Sequence, residues 1–393
     1  MASYDKIVYD SAPIGSIAAL AKTLDSSAAR LEFIVNNAKN FYLIFDKEVG
    51  TKIRSLCDPN EELKRIQRKI VGRVFKHLVF PPYLHGGIKA CDSRDFFSNA
   101  NAHCGAHVAV AIDVKNYFPS ISESLVEEAF RRLFRFPDDV SKILTKLVTL
   151  DGQVPQGAPT STYVANFVMF DREYRLVSRL RAKGLRYTRL IDDITISSER
   201  EVPQALISKV TTDTVSMLKA YGLDHHDGKY KIYSRSNPED LMIITGLWLN
   251  RGSPRVSKKR RDAISHQVIQ LSKRAEVDGA REQSGYHDEF NAVSGRVAVL
   301  HRIGHKEAIR LRDILRKIKP VYGVYDLKKL NKIIPSFCRS AVDRSKRGYI
   351  KKFYKFQYCV GIIRNGNPDL ARNLQRQLNR VRPVKTLREF DDA

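Results

Sequence analysis

Apolar residues recur at helical spacing over residues 12–40, with Ile14, Ile17, Leu20 and Leu24 followed by Leu31, Ile34 and Val35. Residues 42–45 and 52–56 read as strands around a Val49-Gly50 turn, which predicts a hairpin. Leu63, Ile66, Gln67, Ile70, Val74 and Leu78 predict one helix over 63–80, stopped by Pro81-Pro82. The short apolar run 108–114 reads as a buried strand carrying Asp113 near its end. Helices are expected over 125–134, 140–150, 161–180 and 202–221. Residues 186–191 and 194–197 flank Asp192-Asp193, a second hairpin with acids at its tip; strand pieces follow at 230–233 and 242–249. Beyond Pro254 the period is helical at 258–274, 288–302, 305–319, 326–334 and 368–381. The pattern is therefore an α+β body to about residue 250, a joint at 250–254 and a helical region after it.

Composition narrows the class. The chain has 393 residues, is 43% hydrophobic and holds 18 Phe and 17 Tyr, enough for a sizeable core and against wholesale disorder. No apolar run approaches the ~20 residues of a membrane-spanning helix. Five cysteines, at 57, 91, 104, 338 and 359, form no CxxC pair, and an odd number does not suit a disulfide framework. With no secretory signal pattern at Met1, the expectation is a cytoplasmic protein with reduced thiols.

Charge adds a partner. The formal net charge is +25, and it is unevenly placed: residues 1–250 carry 34 basic and 29 acidic side chains, residues 251–393 carry 34 and 14. A surplus of that size on the last third points to a polyanion, nucleic acid ahead of an anionic membrane.

Three carboxylates stand out as chemistry: Asp113 at a strand end, and Asp192-Asp193 between two short strands. Phosphoryl transfer assisted by two metal ions needs acids held close enough to bridge ions about 3.5–4 Å apart, and hard oxygen ligands suit Mg²⁺. Asp138-Asp139 and Asp391-Asp392 are also acid pairs, but they lack flanking apolar strands and read as a solvated turn and a chain end.

These residues carry a resemblance. AIDVKNYFPSI (111–121), PQGAPTS (155–161) and YTRLIDDITIS (187–197) resemble motifs A, B and C of reverse transcriptases, in the family's order. Asn99-Ala-Asn-Ala-His103, Leu84-His-Gly-Gly87 and Ile244-Thr-Gly246 resemble motifs of its retron branch, and the likeness covers about residues 14–315. One departure is Leu190-Ile191 before the acid pair, where Tyr-Ala is usual.

The resemblance implies a right-hand polymerase: fingers in 1–107, an antiparallel palm sheet packed on helices in 108–250, a helical thumb in 251–318 and a basic extension in 319–393. It implies that Asp113, Asp192 and Asp193 ligate two Mg²⁺. Lys47, Lys52, Arg54, Phe118, Gln156 and Gly157 would meet the incoming dNTP, and Lys229 would be a general acid toward pyrophosphate. Asn99, His103, Thr245 and Gly246 would contact RNA. It further implies a cognate structured non-coding RNA, priming from an internal guanosine 2′-OH, and a branched multicopy single-stranded DNA product. A neighbouring effector protein in anti-phage defence completes that expectation.

On its own terms, the stretch 344–358 interleaves cations with aromatics, so Arg347, Tyr349, Lys352 and Tyr354 are candidate RNA contacts. The competing reading is a helix with its aromatics in a core. Two other functions stay open: another bacterial defence or group II intron-like reverse transcriptase, and a non-catalytic RNA-binding scaffold or antitoxin subunit.

Overall fold

The computed structural model describes residues 5–49, 52–88, 94–237, 239–340 and 342–392. The chain forms two compact units, divided in sequence after Pro254. Among the described residues no helix is long and apolar enough to cross a membrane.

The first unit is built on a five-stranded sheet whose order is Leu84–His85, Arg186–Leu190, Asp193–Ser198, Val108–Asp113, Lys231–Ser234. Only the outermost pairing, Leu84–His85 on Arg186–Leu190, is parallel. The interior strand Val108–Asp113 is paired on both sides, and its apolar residues are nearly all buried, as a strand covered on two faces requires. A separate hairpin pairs Tyr42–Val49 with Lys52–Pro59. Its tip, including Gly50 and the side chain of Lys52, lies outside the described residues.

Three expected helices take a different form. The 12–40 segment is two helices, Ile17–Thr23 and Ala28–Asn36, each started by a serine whose hydroxyl accepts a backbone N–H. The 63–80 helix ends at Lys69 and continues as a π-turn, Ile70–Val74, and a 3₁₀ turn. Gly72 and the β-branched Ile70, Val71 and Val74 weaken α-helix there, and Leu78–Val79 pair instead with Val8–Tyr9. The 161–180 helix is broken into Ser161–Phe167 and Glu173–Ala182. The break places Glu173 at a helix start, where it becomes a buried partner of the sheet.

The second unit is helical, with Lys258–Ala275, Ser284–Arg302, Glu307–Lys317, Val324–Arg339, Arg347–Gly366 and Pro368–Arg380. Residues 318 and 319 both lie inside this compact unit. Arg281 Nε donates to the Lys319 carbonyl at 2.8 Å, and the Val321 N–H donates to the Arg281 carbonyl at 3.1 Å, tying the segments before and after residue 319 together. Its core includes Ile334, Tyr349, Phe353, Val360, Ile363 and Leu374.

Candidate active site

Antiparallel register sets Asp113 directly opposite Asp193. Asp192 occupies the turn before it, and the Val114 N–H donates to the Asp192 carbonyl at 3.0 Å. All three acids line one cleft of about 960 Å³. The structure thus brings together, from sequence positions some 80 apart, the acids that the pattern singled out.

Their electrostatics show crowding. Burial first, then the Asp192 and Asp113 carboxylates, push Asp193 up to about 7. Asp192 is raised as well, by burial and then by Asp113. One cation stands against them: Lys229 Nζ lies 2.5 Å from Asp113 Oδ2. Among the described residues no three acidic, imidazole or thiolate side chains form a ready cage for a metal. The donor chemistry nevertheless fits a hard divalent cation, because carboxylate oxygens converge and an ammonium already acts as counter-ion to one of them.

The turn that carries Asp192 is tight. Ile191 has φ 58°, the left-handed region. For a β-branched residue that conformation costs about 1–2 kcal/mol, so the surroundings must hold it. Gly86 and Gly87, both at positive φ, leave the room: a Cβ on Gly86 would stand 2.7 Å from Leu190 Cδ1, and one on Gly87 2.5 Å from Thr162 Cβ.

Other candidate residues sort by position. Lys47 and Arg54 are paired in register and exposed on the hairpin, and Arg54 lines the cleft. Phe118 and Gln156 line it too. Gly157, at φ 122°, allows close backbone approach of Cys57, whose carbonyl oxygen would be 3.1 Å from an added Cβ. The Cys57 N–H also donates to the Gln156 carbonyl at 2.9 Å. Gly157 therefore seats the hairpin against the 155–161 loop. Gly157→Ala should lower stability by about 1–3 kcal/mol, read as a lower melting temperature.

Asn99 and His103 are corrections. Both are fully buried, leaving no surface for RNA. His103 bridges Ser197 Oγ and Thr188 Oγ1, each at 2.7 Å, and Thr188 donates to Asn99 Oδ1. They fix the strands that carry Asp192 and Asp193. Burial, with Arg186 and His85 adding to it, holds His103 down at about 3. Since the unfolded pKa is near 6.5, the unfolded chain binds a proton that the folded one refuses. That contribution is complete above pH 6.5 and is lost on acidification, at no more than about 1.4 kcal/mol per pH unit. His103→Gln should flatten the acid limb of a stability–pH curve by up to one proton relative to wild type.

Thr245 and Gly246 form the turn of a small hairpin, both at positive φ. The Thr245 hydroxyl donates to the Phe96 carbonyl at 2.8 Å, linking this turn to the helix that bears Asn99. In the second unit Tyr349 is another correction. It is buried, stacks on Phe337 and donates to the Val381 carbonyl at 2.6 Å, so its ring is not free for a base. Tyr354 packs partly against the same core, Arg347 is half-buried and Lys352 is exposed.

Sequence reasoning missed Arg189 and Glu173, both fully buried and paired at 2.6 Å. The signal was present: Glu173 shares a helical face with Leu176, Val177 and Leu180, and Arg189 shares a strand face with Tyr187.

Acids joined across an antiparallel sheet, a lysine against them and an arginine on a facing hairpin form a set whose chemistry suits phosphoryl transfer. Residues 46–267 match the family described as reverse transcriptase (RNA-dependent DNA polymerase). The chain is 35% identical to the Retron Se72 reverse transcriptase of Salmonella heidelberg, over 95% of this chain and 98% of that protein. It is 30% identical to the Retron Ec48 reverse transcriptase of Escherichia coli, over 88% and 86% of the two chains. It is 25% identical to the Retron Ec86 reverse transcriptase of Escherichia coli, over 79% and 91%. The protein belongs to the retron-type reverse transcriptases and is an RNA-directed DNA polymerase.

Proposed function

We propose that this polymerase binds a cognate structured non-coding RNA, primes from an internal guanosine 2′-OH and copies part of that RNA into branched, multicopy single-stranded DNA. The observation that carries the catalytic part is the in-register pairing of Asp113 with Asp193 at a cleft that also reaches Arg54. Similarity to retron reverse transcriptases supports the proposed priming and product. The same similarity supports a bacterial cytoplasmic setting and a role in phage defence with an effector protein encoded nearby.

In this reading Asp113 and Asp192 would hold two Mg²⁺, with Asp193 supporting them. When bound, the ions would lower the pKa of the attacking hydroxyl and neutralise charge on the phosphates. Lys47, Lys52 and Arg54 grip the triphosphate, Arg54 with the bidentate geometry a phosphate favours. Phe118 presses on the sugar, and Gln156 lines the nucleotide pocket. Lys229, whose Nζ rests on Asp113 Oδ2, would be the group that hands a proton to pyrophosphate. Fingers, palm, thumb and extension are assigned to 1–107, 108–250, 251–318 and 319–393, the last two within a single compact unit.

The decisive experiment supplies the full chain with the transcript encoded just upstream of its gene, dNTPs and Mg²⁺. RNA-linked DNA that persists as a branched species after exonuclease treatment is the expected product. DNA joined only to an added primer, with none on the transcript, would refute self-priming. Chelation by EDTA should abolish synthesis, with recovery on adding excess Mg²⁺.

A further inference from the structure

The helix Ser161–Phe167 is short, and its last carbonyls lack intrahelical partners. Arg189 supplies them. Its Nη1 donates to the Ala165 carbonyl at 3.2 Å and its Nη2 to that of Asn166 at 3.0 Å. Nη1 also donates to the Ile191 carbonyl at 2.9 Å, inside the turn that precedes Asp192. Tyr117, four residues after Asp113, donates to the same Ala165 carbonyl at 2.5 Å. One guanidinium therefore touches the end of the 161–167 helix and the acid-bearing turn, and shares an acceptor with the segment following Asp113.

Glu173 makes this burial possible. Its Oε1 accepts from Arg189 Nε at 2.6 Å and from the Tyr187 hydroxyl at 2.8 Å, and its Oε2 accepts from Arg189 Nη2 at 2.9 Å. The fork is thus fixed in plane before it meets any carbonyl. A lysine could match the charge but not this planar set of donors.

We propose that Arg189, oriented by Glu173, is a positioning residue for DNA synthesis: it holds the left-handed Ile191 and thereby sets where the Asp192 carboxylate stands relative to Asp113. This rests on the polymerase reading of the site. Neither residue touches the cleft, so the action is through the turn. Loss of the fork leaves Ile191 without its donor and lets the turn relax toward an ordinary backbone conformation.

The test compares full-length wild type, Arg189→Lys and Glu173→Gln by three readouts: thermal melting, primer-extension kinetics, and Mn²⁺ affinity by electron paramagnetic resonance. The expected result is variants that melt cooperatively, with kcat and Mn²⁺ affinity each lowered ~10–100-fold, the range for residues that orient metal-binding groups. The KM for dNTP should stay within about twofold, since the residues that face the nucleotide are untouched. Folded variants with wild-type kcat and Mn²⁺ affinity would overturn the proposal. So would loss of folding in both variants, which would make the pair a structural one only. A wild-type chain that binds Mn²⁺ yet extends no primer would count against the polymerase reading instead, and the Mn²⁺ comparison would still decide this one.

Discussion

Asp192→Asn is expected to cut DNA synthesis by at least about a thousandfold, while the protein melts no earlier than wild type. Asparagine keeps the shape and leaves the backbone bond from Val114 to residue 192 in place. What it removes is one negative charge of the three that converge. Charge stabilisation by bound metal is worth several kcal/mol in such reactions, and about 4 kcal/mol corresponds to a thousandfold. Stability should move the other way. Asp192 and Asp113 both push Asp193 upward, so neutralising one acid relieves repulsion among buried carboxylates. A catalytic residue whose loss leaves the fold as stable or more so separates chemistry from architecture in one variant. Single-turnover primer extension and thermal melting in the same buffer check both halves. Wild-type rates from Asp192→Asn would remove the three-aspartate mechanism.

RNA binding should fall steeply with salt, and the slope should belong to the second unit. Counterion release makes the logarithm of affinity fall by about 0.7 per phosphate contacted on a single strand per tenfold rise in salt. With 34 basic against 14 acidic residues after position 250, that region offers the largest surplus of cations for such contacts. Lys352 and Lys355 are exposed on the helix Arg347–Gly366. Reversing both to Glu should weaken binding of the cognate transcript by roughly 10–100-fold near physiological salt and flatten the salt slope by about 1–2. Reversing Lys209 and Lys219, exposed on a helix of the first unit, is the matched control. Equal slopes for the two pairs would show that RNA is gripped elsewhere.

The acids were legible in the sequence because local chemistry marks them. An apolar strand ending in Asp113 and an acid pair between two short strands point to one sheet edge before any coordinates are seen. Strand register then made them neighbours. What sequence could not show was long-range satisfaction of polar groups. The helix expected over 161–180 breaks because Arg189 takes over its orphan carbonyls and Glu173 turns inward to hold that arginine. The helix expected over 63–80 gives way because Leu78–Val79 pair with Val8–Tyr9, about 70 residues away. Asn99 and His103 look like surface polar residues in a motif but serve as internal struts. Tyr349 is apolar in effect: one hydroxyl bond to Val381 lets the whole ring enter a core. In each case periodicity reported the local preference, and a distant partner decided the outcome.

The separation of cores bears on how the protein comes into being. A buried cluster of the first unit runs from Ile7 to Leu223, and the buried apolar residues of the second run from Val256 to Val381. Translation at about 5–20 residues per second leaves many seconds between completion of one and completion of the other. The nascent chain therefore finishes its polymerising centre while most of its basic segment is still unmade. Encounter with the transcript is then naturally ordered: a ribosome releases the basic unit last, when the catalytic pocket is already set.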